Sequence, residues 1–259
     1  MIPPKIFLAA AGLLYALGFL VCFLSFAKSR MHWFPRGEVC VGAGFVLHLA
    51  ACVLCPFSIM NLQHVLSLLA FSMVVLYFLL RLMKRGQGLW LFAFPLVFVF
   101  SAFALVLPLQ ADPSASFSSS FFVLHILVAL LGIGGIFFGI LYSFLYLIQE
   151  KSLKEKNWGA VSTLMPSLAK ADSFAVHSLW GGFILYTIGV GMGIAWSYRI
   201  KGVATSLNLK EVGALVAWVI FALLLFIRAR YGWRGKRAIL LYGVGVVSIL
   251  AAIGGIRIL

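Results

Sequence analysis

Eight apolar runs of membrane length divide this chain, at roughly 5–27, 39–57, 64–83, 89–108, 119–148, 174–197, 211–229 and 237–256. A helix needs about 20 apolar residues to cross the hydrocarbon core of a bilayer. The links between the runs are too short for a soluble domain. A β-barrel would read as alternating segments of about 10 residues, and none occurs. Hydrophobic residues make up 64% of the sequence and charged residues 10%, more apolar material than a soluble core buries. The expectation is an all-α polytopic membrane protein with eight transmembrane helices, a single domain over 1–259. The apolar part of the first run is longer than a signal-peptide core, and Lys5 is its only leading charge, so it reads as a retained helix.

The placement of charge orients such a chain. Alternate links carry Lys28, Arg30 and Arg36, then Arg81, Lys84 and Arg85, then Lys151, Lys154, Lys156 and Lys170, then Arg228, Arg230, Arg234, Lys236 and Arg237. The other side holds Lys5, Arg199, Lys201, Lys210 and Arg257. The positive-inside rule therefore predicts cytoplasmic basic links and both termini outside, periplasmic in a bacterial inner membrane. A net charge of +14 need not mean nucleic acid. Basic residues beside apolar helices are what topology and anionic membrane lipid require.

Ionisable groups inside hydrocarbon are costly, so each marks a possible site. His48 lies near the middle of the second run, about nine residues from either end. His125 lies about six residues into the fifth, His64 at the outer end of the third, and His177 near the inner end of the sixth. His32 falls in a basic link and reads as solvated. A buried histidine is commonly bonded to a carbonyl of a neighbouring helix. Four of them in an aromatic-rich apolar bundle raise a second reading, since imidazole is a common axial ligand of haem iron. No C-x-x-C-H occurs, so any haem would be of the b type rather than covalently attached. His48 and His125 are the leading candidates for iron, with His64 placed to pair with His125 and His177 to assist His48 from about 8 Å nearer the inner face. The acids Glu38, Asp112, Glu150, Glu155, Asp172 and Glu211 map to helix ends or links, which argues against an ion-coupled carrier.

Cys52 and Cys55 form a C-x-x-C in an apolar run, without the strand–helix context of a thiol-exchange site, and read as packing residues. Gly132, Gly135 and Gly139 in the fifth run recur on one face and predict close approach of another helix; Gly182, Gly189 and Gly193 lie in the sixth. Pro95 predicts a kink in the fourth run.

Several stretches together resemble the cytochrome c assembly family of the CcsA, ResC and CcmC type. TIGVGMGIAW (187–196), LKEVGALVAW (209–218) and FIRARYGWRGKRA (226–238) are similar to its consecutive core motifs. Upstream, VLHLAA around His48, MNLQHVLSL (60–68) and the helix opening at LHILVALLG (124–132) resemble further family segments. The likeness covers about residues 40–259. It implies a membrane protein that binds or moves haem, with His48 and His125 matching two of four family ligands. The family's tryptophan-rich haem-facing loop is replaced by SYRIKGVATSLN (197–208), which keeps Trp196 and Trp218 at its edges. Phe226 stands where a helix histidine is expected, and a second outer histidine would lie beyond GGIRIL (254–259). The departures imply the shorter HemX/YpjD-like branch: support of cytochrome c biogenesis or haem homeostasis, without synthetase activity. The alternative it implies is a non-catalytic structural or regulatory subunit without bound haem. Implied partners are other biogenesis proteins or a haem-synthesis enzyme.

Overall fold

Apolar runs that cannot leave backbone groups unpaired in lipid must become helices, and every long element here is one. A computed structural model describes residues 4–28, 30–54, 62–86, 88–107, 120–156, 165–204 and 208–254. Cys55, most of the polar segment ADPSASFSSS (111–120) and residues 255–259 lie outside them. The helices are α1 (Pro4–Ala27), α2 (Phe34–Leu54), α3 (Leu62–Leu82), α4 (Trp90–Val106), α5 (Ser120–Lys154), α6 (Leu168–Lys201), α7 (Leu209–Tyr231) and α8 (Lys236–Gly254). A 3₁₀ turn, Met31–Trp33, leads into α2. Among the described residues seven of these helices are long and apolar enough to span a membrane. The eighth, α4, has 17 residues, about 26 Å against a hydrocarbon core of about 30 Å. Pro95 lies inside it.

Three helices differ from the expectation in extent. Helix α2 starts at Phe34, because Pro35 occupies its first turn, where a missing N–H costs nothing. Within the described helix His48 is thus six residues from Leu54 and fourteen from Phe34, well off centre. Helices α5 and α6 run to 35 and 34 residues. Their added turns come from the polar links, where Glu150–Lys154 and Lys151–Glu155 pairs at i,i+4 support α5.

Neighbours in the bundle follow the order α2, α1, α4, α3, α5, α6, α7, α8. The α5–α6 seam is the tightest. A Cβ added at Gly182 would lie 2.5 Å from the backbone nitrogen of Ile136, and one at Gly135 would lie 2.8 Å from the Cα of Gly182. The glycine spacing in the sequence therefore has the close approach it predicts. Successive helices are antiparallel. The Arg81–Glu38 pair, the stacking of Arg85 on Phe174, and the bonds of Asp172 to Arg228 and Arg234 gather the basic links at one end. The described starts of α1 and α3 and the end of α8 lie at the other.

Candidate functional site

Glycine at 189 and 193 lets α5 approach α6 closely enough for one histidine to reach the opposing backbone. His125 on α5 has its Nδ1 2.9 Å from the carbonyl oxygen of Gly189. A carbonyl only accepts, so Nδ1 carries the proton and Nε2 keeps the lone pair. Among the described residues Nε2 has no hydrogen-bond partner. A Cβ at Gly193 would come within 2.9 Å of His125 Cε1, so the flat ring fits only because residue 193 has no side chain. One helical turn nearer the start of α5, Phe122 packs tilted against Trp196 with ring centroids 5.3 Å apart, and Phe121 stacks on the same indole at 6.3 Å. Ser197, next to Trp196, holds a buried hydroxyl with no partner among the described residues. The half-buried imidazole thus lies one turn from a packed aromatic cluster, its ring centroid 6.1 Å from that of Phe122.

The next helix is pinned to this seam by two bonds. Trp218 Nε1 donates to Thr187 Oγ1 at 2.9 Å, and Thr187 donates to the Phe183 carbonyl on its own helix. Tyr186 donates its hydroxyl proton to the Ala214 carbonyl at 3.0 Å. Asn208 caps α7 by accepting from the Glu211 N–H at 2.9 Å, and the Glu211 carboxylate returns to the Asn208 amide at 3.4 Å. Lys210 lies in the first turn of α7 and is half-buried.

His48 is fully buried. Its Nδ1 is 3.1 Å from the Tyr15 hydroxyl on α1, and its Nε2 is 2.8 Å from the Ser67 hydroxyl on α3. Both ring nitrogens are engaged, by side chains of two helices rather than by a carbonyl. Ser67 lies five residues before Ser72, whose hydroxyl donates to the carbonyl of Leu130, five residues after His125. His48 and His125 therefore stand at the same level on either side of α3. His64, half-buried at the start of α3, lies about one turn from that level towards the same end.

The expected association of His177 with His48 does not form. The α5–α6 register, in which Gly193 faces His125 and Gly139 faces Leu179, puts His177 sixteen residues from the His125 level. At about 1.5 Å per residue that is about 24 Å, not 8 Å. The longer α6 is the reason: it begins at Leu168 and keeps His177 in its basic half. His177 is exposed and bonds its Nδ1 to the Ser173 carbonyl one turn below. Phe226 is at a similar level and 62% exposed, so no bonded network depends on that position.

Sequence reasoning did not single out Tyr15, Ser67 or Thr187. A tyrosine and two hydroxyl residues in apolar runs carry no spacing signal of their own; their meaning comes from helices distant in sequence.

The profile of the family described as Cytochrome C assembly protein matches residues 59–259. The chain is 26% identical over 243 residues to the cytochrome c biogenesis protein CcsA of Pyropia yezoensis, covering 78% of this chain and 76% of that protein. It is 26% identical over 227 residues to CcsA of Prochlorococcus marinus (strain MIT 9301), covering 78% and 74%. For CcsA of Mesostigma viride the identity is 25% over 228 residues, covering 78% and 75%. No solved structure matches the chain.

Proposed function

Because this chain belongs to the cytochrome c assembly protein family, we propose that it is a multi-pass membrane protein of cytochrome c biogenesis that holds b-type haem on His125. The observation that carries this reading is the His125–Gly189 hydrogen bond. Imidazoles that bind metals usually donate their second N–H to a carbonyl or carboxylate, which fixes the tautomer and orients the ring. His125 is so arranged, with Nε2 on the far side of the ring from that bond and the Phe122–Trp196 pair one turn away. Bound iron would find one nitrogen ligand there, and His64, at the same end of α3, is the nearest sequence-level candidate for a second. His48 would ligate only if Tyr15 or Ser67 released it, so its role here is to tie α1, α2 and α3 together at the level of the site.

The protein's own part in handling haem is to present an oriented imidazole, to exclude water by packing Phe122 and Trp196 beside it, and to keep the dipole of α7 aimed at the same end. No synthetase activity is assigned. We place the basic end in the cytoplasm of a bacterial inner membrane and His125 on the outer side, following the positive-inside rule. Its partners on this reading are other cytochrome c biogenesis proteins and anionic lipid. Full-length protein purified in detergent from haem-replete cells should show a Soret band and iron. Preparations without either would overturn the proposal.

A second reading has one observation in its favour. The last turns of α5 run past the end of α3 and expose Lys151, Lys154 and Glu155. A HemX-like regulatory or structural subunit would use such a projection to hold a haem-synthesis enzyme or another partner. Replacing residues 149–156 would then abolish co-purification of that partner while leaving any Soret band intact.

A further inference from the structure

The motif FIRARYGWRGKRA (226–238) takes no part in the His125 site, yet the fold holds it firmly. Arg228 on α7 donates to the Asp172 carboxylate on α6 and, at 3.3 Å, to the Asp172 carbonyl oxygen. Arg234 Nε lies 3.1 Å from the same carboxylate. Gly232 ends α7 with φ +62°, and Gly235 leads into α8 with φ +59°, backbone conformations that favour glycine. A Cβ at residue 235 would lie 3.2 Å from Leu147, so the turn is seated on α5. Two cations of the motif are thus spent inward on Asp172. Arg230, Lys236 and Arg237 are exposed on the corner between α7 and α8.

No acid of this end is left for these three. Glu38 pairs with Arg81, Glu150 with Lys154, Glu155 with Lys151, and Asp172 with Arg228 and Arg234. The stretches of this end outside the described residues, 29, 87 and 157–164, contain no Asp or Glu. Arg230 lies over the Tyr231 ring and Arg237 over the Trp233 ring, each 5.8 Å from the centroid. A guanidinium held against a ring keeps the N–H fork that grips a phosphate through two bonds. One turn before Arg230 on the same face of α7 is Phe226, 62% exposed, and one turn beyond Lys236 on α8 is Leu240, 71% exposed. The corner therefore sets cations over apolar surface, with a tyrosine and a tryptophan at the boundary where headgroups lie. Charge followed by hydrocarbon fits an amphiphile rather than a free phosphate or an acidic peptide. We infer that the α7–α8 corner binds the phosphate headgroup of an anionic phospholipid, gripped by Arg230, Lys236 and Arg237, with its acyl chains along Phe226 and Leu240. This gives the anionic lipid of the reading above a place on the protein, and it does not depend on haem.

The test titrates full-length protein in uncharged detergent with dioleoyl phosphatidylglycerol or dioleoyl phosphatidylcholine and counts bound lipid by native mass spectrometry. The wild type should bind the first phosphatidylglycerol about tenfold more tightly than phosphatidylcholine, the worth of one charge-assisted contact. The triple variant Arg230→Gln, Lys236→Gln, Arg237→Gln should lose that preference. A second triple variant, Lys28→Gln, Arg36→Gln, Lys84→Gln, removes the same charge from exposed positions of the same end and should keep it. Equal losses in the two triples would make the attraction a diffuse property of the basic end and overturn the site. Glycerol 3-phosphate, the headgroup without tails, should not compete; competition at lipid-like concentrations would make the corner a soluble-phosphate site. A wild type that ignores both lipids and takes a glutamate-rich peptide instead would make it a protein-docking face, and the lipid site would fall. The assay contains no porphyrin, so none of these outcomes bears on His125.

Discussion

Nδ1 of His125 donates to the carbonyl oxygen of Gly189 across 2.9 Å, from one membrane helix to the backbone of the next. In lipid a bond of this kind is worth about 0.6–1 kcal/mol, too little to hold two helices together. Close packing at the glycines does that. The bond instead selects one tautomer and one ring orientation, so its consequences are read in ligand binding more than in stability.

Gly193 is the most direct check on that orientation. A Cβ there would stand 2.9 Å from His125 Cε1, so Gly193→Val should push the ring out of line. Haem affinity should fall by at least about tenfold, a change of about 1.4 kcal/mol. Helix content by circular dichroism should be unchanged. Wild-type affinity in this variant would mean that the ring is free to move.

The α5–α6 seam predicts a contrast between adjacent glycines. Gly182→Ala would bring its Cβ within 2.5 Å of Ile136 nitrogen, whereas nothing lies within 4 Å of a Cβ at Gly181. Overpacking of this kind costs about 1–3 kcal/mol. Gly182→Ala should therefore lower the unfolding midpoint in detergent, and Gly181→Ala should leave it in place. Equal effects would contradict the described register.

At the basic end the two arginines on Asp172 should differ in weight. The Arg228 side chain is 7% exposed and the Arg234 side chain 62%. Removing one partner of a buried pair costs about 3–5 kcal/mol, and an exposed pair contributes about 0–1 kcal/mol. Because Asp172 keeps Arg234 after Arg228→Ala, the loss should fall near the lower end of the buried range. Arg234→Ala should be nearly silent in the same unfolding assay, and the reverse order would refute the burial argument.

His48→Ala separates scaffold from ligand. It leaves the Tyr15 and Ser67 hydroxyls without their shared partner and opens a space between three helices. Each unsatisfied buried hydroxyl costs about 1–3 kcal/mol. The variant should be markedly less stable, and the fraction that remains folded should keep its Soret band. Loss of the band in folded His48→Ala protein would make His48 a ligand.

Much of the scaffold is legible in the residues. Apolar length sets the helices, and the glycine spacing of α5 predicts its close partner. The placement of Lys and Arg predicts that the basic links share one end. The start of α2 escaped because Pro35 reads as a loop residue unless it is recognised as a first-turn proline. The bonds Tyr15–His48–Ser67 and Trp218–Thr187 escaped for a different reason. Each joins positions whose register is set by tertiary packing, and no local pattern encodes it. The same holds for His177, whose distance from the other histidines depends on where α6 begins. In the sequence, depth in an apolar run is all that ranks these histidines. Helix register makes His125 a half-buried group whose Nε2 has no partner among the described residues, His48 a buried tie, His64 a half-buried residue one turn nearer the start of α3, and His177 an exposed residue at the opposite end.

The central claim is that His125 supplies the nitrogen ligand, and the absorption spectrum of His125→Gly with and without added imidazole tests it most directly. Removing the side chain should abolish or shift the Soret band, and free imidazole entering the vacated space should restore it. A His125→Gly protein whose Soret position and intensity match the wild type, with no response to imidazole, would contradict the account.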